Sequence, residues 1–401
     1  MDTQSIITDE SQYLMQTYRR ADIVLARGDG VYLFDTDGRS YLDFMSGIAV
    51  AALGHADPDV TAAVAQQAAT LTHVSNLFHT IPQVGLARRL VTHSFADRVF
   101  FTNSGAEAIE GALKFARKWA RGRGAGKHEI VAFNGSFHGR TMGALSVTYK
   151  AVYREPFAPL GPGVCFAPFN DLDAAAALIS DATCAVIVEP VQGEGGIHTA
   201  TPAFLRGLRA LCDQHGALLI FDEIQCGLGR TGRLWAHEAA GVTPDIMTLA
   251  KPLANGLPIG AILMTEAVAA AVGPGEHGST FAGGPVVGRA GEVVFDRVSN
   301  PAFLAAVAAN GAYLRERLRE LASPLVDEVR GEGLLVGVEL NTAVAPILAA
   351  ARQRGLLVIN AGDTILRIAP PLIITREDID EAVAILGACL VEEEQKLTPG
   401  R

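Results

Sequence analysis

Between residues 98 and 264 the chain alternates short apolar runs with helical stretches, the runs falling at 98–102, 130–133, 164–167, 185–189, 218–222, 246–249 and 261–264. Runs this short and this continuously apolar read as strands buried on both faces, and helices placed between them make the sheet largely parallel. The pattern predicts an α/β domain built on a mostly parallel seven-stranded sheet with helices on either side. On such a sheet ligands gather beyond the carboxyl ends of the strands, so chemistry is expected in the residues that follow each run.

The flanks read differently. Residues 8–26 have amphipathic helical spacing, and 30–44 alternate around Asp37-Gly38 as a β-hairpin. A Gly/Ala-rich loop over 45–55 leads to a helix opened by Asp57-Pro58 and ending near residue 69. After a long helical stretch over 286–321, strands are expected at 334–340, 356–359 and 365–368, and Thr375 with Asp378 forms the capping box of a last helix. The C-terminal third and the N-terminal hairpin read together as a smaller α+β domain. The expected division is 1–50 for the N-terminal part of the small domain, 51–289 for the large domain and 290–401 for the C-terminal part of the small one.

Composition removes several function classes. A net charge of −10 without any lysine/arginine run argues against nucleic acid or an anionic membrane as partner. Five cysteines without a CxxC pair point to a reducing compartment and to neither zinc nor a disulfide framework. The histidines lack HxxxH or HExxH spacing, so no metal is expected. Asp2, Asp9 and Glu10 are unlike a targeting peptide, and no apolar run approaches the roughly 20 residues of a membrane span, so a soluble protein is expected.

The 246–249 run ends in Ala250-Lys251-Pro252, followed by a Gly/Pro-rich loop. A lysine held in apolar surroundings has a lowered pKa, which makes its amine a nucleophile and a proton carrier; the functional reading is a Schiff-base lysine. The other reading is a strand-end lysine reaching to water. Asp222 closes another buried run, where a carboxylate can hold a pyridine nitrogen protonated; it reads otherwise as an N-cap or surface acid. Asn103-Ser-Gly105-Ala106-Glu107 lies between a strand and an apolar-faced helix, as a phosphate cradle of bare amides or as an ordinary capped helix with Ser104 and Glu107 as a capping box.

Phe137-His-Gly-Arg140 sets an aromatic ring and a guanidinium on one loop, able to stack on a planar group and to clamp a carboxylate. An exposed loop aromatic beside a surface arginine is the alternative. Glu194 lies on a glycine-bearing loop after Glu189-Pro190, and Arg367 lies in the 365–368 run; spacing does not reveal whether they pair. Gly227-Leu-Gly-Arg-Thr-Gly232 matches G-x-G-x-x-G letter by letter. The preceding Asp222 and Glu223 would repel a pyrophosphate and no helix follows, so a dinucleotide site is rejected.

Taken in order, these motifs resemble the class III pyridoxal-phosphate aminotransferases of fold type I, and within them the acetylornithine aminotransferases. The resemblance spans the chain, through Ser46-Gly-Ile-Ala-Val50, Asn103-Ser-Gly-Ala-Glu-Ala108, Phe137-His-Gly-Arg-Thr141, Gln192-Gly-Glu-Gly-Gly196, Asp222-Glu-Ile-Gln225, Leu249-Ala-Lys251, His277-Gly-Ser-Thr-Phe281 and Ala369-Pro-Pro-Leu372. Two stretches depart from it, Ile109-Glu-Gly111 and the Pro-Leu-Ala-Asn-Gly loop after Lys251.

The resemblance implies pyridoxal 5'-phosphate joined to Lys251, its pyridinium held by Asp222, its phenolic oxygen by Gln225, and its ring between Phe137 and Ile224. It implies a phosphate site at Gly105 and Ala106, reached by Thr280 of a neighbouring subunit, and hence a homodimer with active sites at the interface. It assigns Arg140 and Ser279 to N2-acetylornithine, and makes Glu194 a cover over Arg367 that moves aside when glutamate binds. The implied reaction passes the δ-amino group of N2-acetylornithine to 2-oxoglutarate, giving glutamate, in the cytoplasm or as a mature chain in a plastid stroma. Succinylornithine, ornithine, 4-aminobutyrate and carrier-linked aminoadipate semialdehyde remain as other amine partners, with His138 favouring acetylornithine over free ornithine. An aminomutase and a catalytically silent binding protein are the readings from other classes.

Overall fold

Seven strands form the central sheet of the computed structural model, which describes residues 2–124 and 126–397. In spatial order they are Arg98–Thr102, Gly260–Met264, Ile246–Leu249, Leu218–Asp222, Thr183–Val188, Glu129–Phe133 and Val164–Ala167. Gly260–Met264 runs antiparallel to both its neighbours. The remaining pairs are parallel.

Side chains alternate across the pleat. Leu218 and Ile220 join Ile130, Ile187 and Ile262 under the helix Gly105–Arg121. Leu219 and Phe221 join Val131 and Val186 under the helix Pro202–His215 on the other face. With both faces covered, the Leu218–Asp222 and Thr183–Val188 strands are wholly buried, so their polar ends open only at the carboxyl edge.

A second core joins the two ends of the chain. Val31, Leu42 and Phe44 pack with Val336, Ile368 and Leu386, and Leu356–Leu357 pairs in parallel with Ser40–Asp43. Truncating the fully buried Phe44 to alanine would cost about 3–5 kcal/mol. The antiparallel strands Val326–Glu332, Leu335–Leu340 and Ile365–Ile368 carry Arg367 toward the large sheet.

Several expectations need correction. The first helix spans Thr3–Tyr13, capped by Asp2, and not 8–26; none of its residues is buried. The 286–321 stretch is two helices, Pro285–Val298 and Pro301–Glu320, because Asn300 caps the second and Pro301 cannot continue the first. The expected 289/290 division falls inside Pro285–Val298, whose Ala290, Val294, Phe295 and Val298 pack with Leu86 and Leu249 of the large lobe. The 356–359 run is two short strands, Leu356–Leu357 and Ile359–Asn360, belonging to different sheets. Val326–Glu332 is a strand that its charged, half-exposed sequence concealed.

Candidate active site

The carboxyl edges of the strands converge as the α/β pattern requires. Asp222 ends its strand 4% exposed, and its Oδ2 lies 2.7 Å from Nδ1 of His138, itself 2% exposed. Its Oδ1 accepts from the Ile224 N–H at 3.0 Å. It is therefore neither a surface acid nor a helix cap. Burial works against a charged His138, but the bond to Asp222 and the charges of Asp222 and Glu189 outweigh it and raise the imidazole pKa. His138 Nε2 has no hydrogen-bond partner among the described residues.

Lys251 opens the tight turn Lys251–Ala254 just past the Ile246–Leu249 strand. The turn is pinned by Asn255, which adopts a left-handed φ of 49°, accepts from the Leu53 N–H at 2.8 Å and donates to the Gly54 carbonyl at 2.9 Å. The departure from the usual loop sequence after Lys251 thus has a structural role. Among the described residues, Lys251 makes no hydrogen bond or ion pair. Desolvation lowers its pKa, Glu194 opposes, and the nearby Arg367 adds to the lowering. A lysine that keeps its amine unpaired and desolvated is poised as a nucleophile.

Ser104 caps the helix Gly105–Arg121, its hydroxyl accepting from the Glu107 N–H at 3.2 Å. The expected reciprocal bond is displaced by one residue: Glu107 accepts from the backbone and side-chain amides of Asn103, each at 2.9 Å. Among the described residues the amides of Gly105 and Ala106 find no acceptor, at the positive end of a 17-residue helix. A Cβ at Gly105 would stand 2.9 Å from Ile224 Cδ1, so glycine lets Ile224 close over the cradle. On the far side, Gly139 presses against Ala106, which holds the Phe137 loop beside the same amides.

Arg367, 3% exposed, donates from Nη1 to Glu194 at 2.5 Å and to Gln225 Oε1 at 3.1 Å. Gln225 therefore accepts through its oxygen, leaving its amide N–H groups as donors. Arg140 is in the opposite state. It is exposed, has no ion pair among the described residues, and lies 3.5 Å from the Tyr153 ring centroid and 5.6 Å from that of Phe137. Ser279 Oγ is 2.9 Å from Asn103 Nδ2, next to the cradle. Thr280, the next residue, is exposed.

Sequence reading missed Tyr153 and the tie between His138 and Asp222. The clue to the second was available, since a buried strand-end carboxylate needs a partner. The G-x-G-x-x-G match is structural: Arg230, fully buried with its pKa pushed down to about 9 by desolvation, donates to the carbonyls of Leu334 and Pro370 and so ties the large lobe to the small one.

The donor set suits pyridoxal phosphate: bare helix amides for a dianion, a buried carboxylate backed by histidine for a pyridinium, and a desolvated amine. Fold and site define a pyridoxal-phosphate-dependent aminotransferase of fold type I. Residues 13–390 match the Aminotransferase class-III family, and the chain belongs to that family. The mitochondrial acetylornithine aminotransferase of Alnus glutinosa is 53% identical over 396 residues, covering 97% of this chain and 88% of that protein. Among solved structures, ornithine aminotransferase from Toxoplasma gondii superposes with a TM-score of 0.95 at 31% identity, covering 99% of this chain and 96% of that one. N-acetylornithine aminotransferase from Stenotrophomonas maltophilia gives a TM-score of 0.83 at 38% identity, covering 97% and 100%.

Proposed function

We propose that this aminotransferase moves the δ-amino group of N2-acetylornithine to 2-oxoglutarate, releasing glutamate and an acylated semialdehyde. The observation that carries this reading is the contrast between two arginines: Arg367 is occupied by Glu194, while Arg140, among the described residues, has only ring faces as partners. A substrate whose carboxylate is remote from its reacting amine needs an outlying cation and no second one beside the reacting carbon. Glutamate carries one carboxylate on its reacting carbon, which is served when Glu194 leaves Arg367, and a second, distal carboxylate that can still use Arg140.

When bound, pyridoxal phosphate supplies the carbon that takes and returns the amino group and a ring that accepts electron density. Lys251, its pKa lowered by desolvation, moves the proton at the substrate carbon through Nζ. Asp222, backed by His138 at 2.7 Å, holds the ring-nitrogen proton. Gln225, its oxygen engaged by Arg367 at 3.1 Å, turns N–H donors to the phenolic oxygen. Phe137 and Ile224 hold the ring flat and keep water from its faces. Gly105 and Ala106 take the phosphate, with the partner subunit's Thr280 beside it, and Ser279, bonded to Asn103, stands near the substrate.

The homodimer belongs to the same proposal. Leu77, Phe78 and Ile81, at 86%, 68% and 89% exposure, stand on the 73–84 segment that Asn76 bonds to Ser279, and Phe281 is 67% exposed next to Thr280. Apolar side chains this exposed and this close to a site residue favour a protein contact over solvent. Among the described residues the cysteines are free, which suits a reducing compartment such as the cytoplasm, and no helix of those residues is long and apolar enough to cross a membrane.

Initial rates with N2-acetylornithine, ornithine and 4-aminobutyrate, each with 2-oxoglutarate, test the substrate. The proposal expects acetylornithine to have the highest kcat/KM and Arg140→Ala to raise its KM by a larger factor than the KM for glutamate, which keeps its hold on Arg367. Equal use of free ornithine, or an Arg140→Ala variant unchanged toward acetylornithine, contradicts it.

A further inference from the structure

Glu189 is an interior acid that none of the steps above employs. It follows directly on the Thr183–Val188 strand, is 5% exposed, and uses each carboxylate oxygen on a different loop. Oε2 accepts from the Phe137 N–H at 3.2 Å and Oε1 from the Gly193 N–H at 3.3 Å. The first loop carries the stacking ring and Arg140, the second carries Glu194.

The two loops depend on this carboxylate unequally. Around Phe137, Ser136 Oγ donates to the Val147 carbonyl at 3.0 Å, His138 N–H to Thr148 Oγ1 at 2.9 Å, and Tyr149 N–H to the Ser136 carbonyl at 3.0 Å. That loop is pinned without Glu189. The other loop is tied at its ends, by Gln192 Nε2 donating to the Asn134 carbonyl at 2.8 Å and Arg330 Nε donating to the Gly196 carbonyl at 2.8 Å. Between those ties it sits by close approach: a Cβ at Gly193 would fall 2.2 Å from Gln225 Nε2, and one at Gly195 would fall 2.4 Å from the Gly135 carbonyl oxygen. Gly196 and Ile197, at φ 111° and 59°, turn the chain away again. Gly193 is thus the dependent end, one residue before the carboxylate that covers Arg367.

We propose that Glu189 is a positioning residue: it latches the 192–196 loop where Glu194 covers Arg367, and so sets how readily Arg367 is released to an α-carboxylate. The proposal rests on the reading of Glu194 as that cover. A glutamine at 189 accepts only one of the two N–H groups, and its own amide opposes the other. The pinned Phe137 loop keeps its bond and Gly193 loses one. Burial, with His138 opposing it and Asp222 adding to it, pushes the Glu189 carboxyl up to about 7, so a neutral carboxamide there leaves no unpaired buried charge.

The test compares wild-type, Glu189→Gln, Glu194→Ala and doubly substituted holoenzymes in both half reactions. Losing one hydrogen bond on the closed side predicts a KM for glutamate lower by roughly two- to ten-fold in Glu189→Gln, with the KM for acetylornithine held. In the Glu194→Ala background the same substitution leaves the glutamate KM unchanged, because no cover remains to be latched. Equal changes in both half reactions, or the same glutamate shift in both backgrounds, overturn the latch and leave general structural support. A Glu194→Ala effect beside an inert Glu189→Gln sinks the latch alone, whereas an inert Glu194→Ala sinks the cover and the latch together. Hydrogen exchange in the unaltered holoenzyme covers the case where Glu189→Gln does not fold. The latch expects glutamate to speed exchange in a 190–198 peptide with the peptide around Phe137 unchanged, and uniform or unaltered exchange contradicts it.

Discussion

His138 Nδ1 and Asp222 Oδ2 stand 2.7 Å apart with both side chains shut away from solvent, so the carboxylate proposed to meet the cofactor ring is braced by a histidine. A hydrogen bond to a charged group is worth about 1.5–3 kcal/mol. His138→Leu is therefore expected to weaken cofactor binding about ten-fold or more, on the same estimate, read by equilibrium dialysis. His138→Asn, which can offer an amide N–H in place of Nδ1, recovers part of the loss. Equal retention of cofactor in all three proteins would remove the brace from the account.

The ion pair between Glu194 and Arg367 predicts a change of specificity. Glu194→Ala exposes a buried guanidinium to any α-carboxylate, so transfer from glutamate and simple α-amino acids should rise relative to transfer from acetylornithine. The measurement is the ratio of kcat/KM values for the two donors. An unchanged ratio counts against the cover.

The unpaired amine of Lys251 ties stability to pH in the cofactor-free protein. Its folded pKa lies below the unfolded value near 10.5, so between the two the unfolded chain binds more protons and stability rises with pH. Lys251→Met, without a charge to desolvate, should melt above wild type at pH 7.5, and the gap should narrow as pH approaches 10.5. A gap independent of pH would mean that packing, and not the charge, is responsible.

Arg140 lies 3.5 Å from the Tyr153 centroid, a cation on a ring face with its fork left free. At an exposed site this contact is worth about 0.5–1 kcal/mol. Tyr153→Leu should raise the KM for acetylornithine about two- to five-fold, on that estimate, while Tyr153→Phe should not. The KM for glutamate, whose α-carboxylate is proposed to meet Arg367, is expected to rise by a smaller factor in Tyr153→Leu.

Much of the large sheet was legible because its strands are short, apolar and closed by turn residues; Leu218–Asp222, Ile246–Leu249 and Val164–Ala167 fall where the sequence predicts. The helix expected over 8–26 fails for a physical reason. Leu14, Met15 and Tyr18 keep an apolar spacing, but they find no core in this chain and stay 54%, 84% and 72% exposed. Residues that chemistry demands at strand ends were legible one at a time. Their pairings were not: Glu194 and Arg367 are 173 positions apart and His138 and Asp222 are 84, distances that only the closed sheet and the docking of the small lobe can bridge. Tyr153 lies in a four-residue helix without a motif, and nothing in its sequence marks it as the shelf beneath Arg140.

The central claim is that the free amine past the Ile246–Leu249 strand is where the cofactor is joined to the chain. Borohydride reduction of the holoenzyme followed by peptide mapping tests it directly. The pyridoxyl label is predicted on Lys251, in one copy per chain, with none on the Lys251→Met protein. A label on any other side chain, or a reduced protein that carries none, would contradict it.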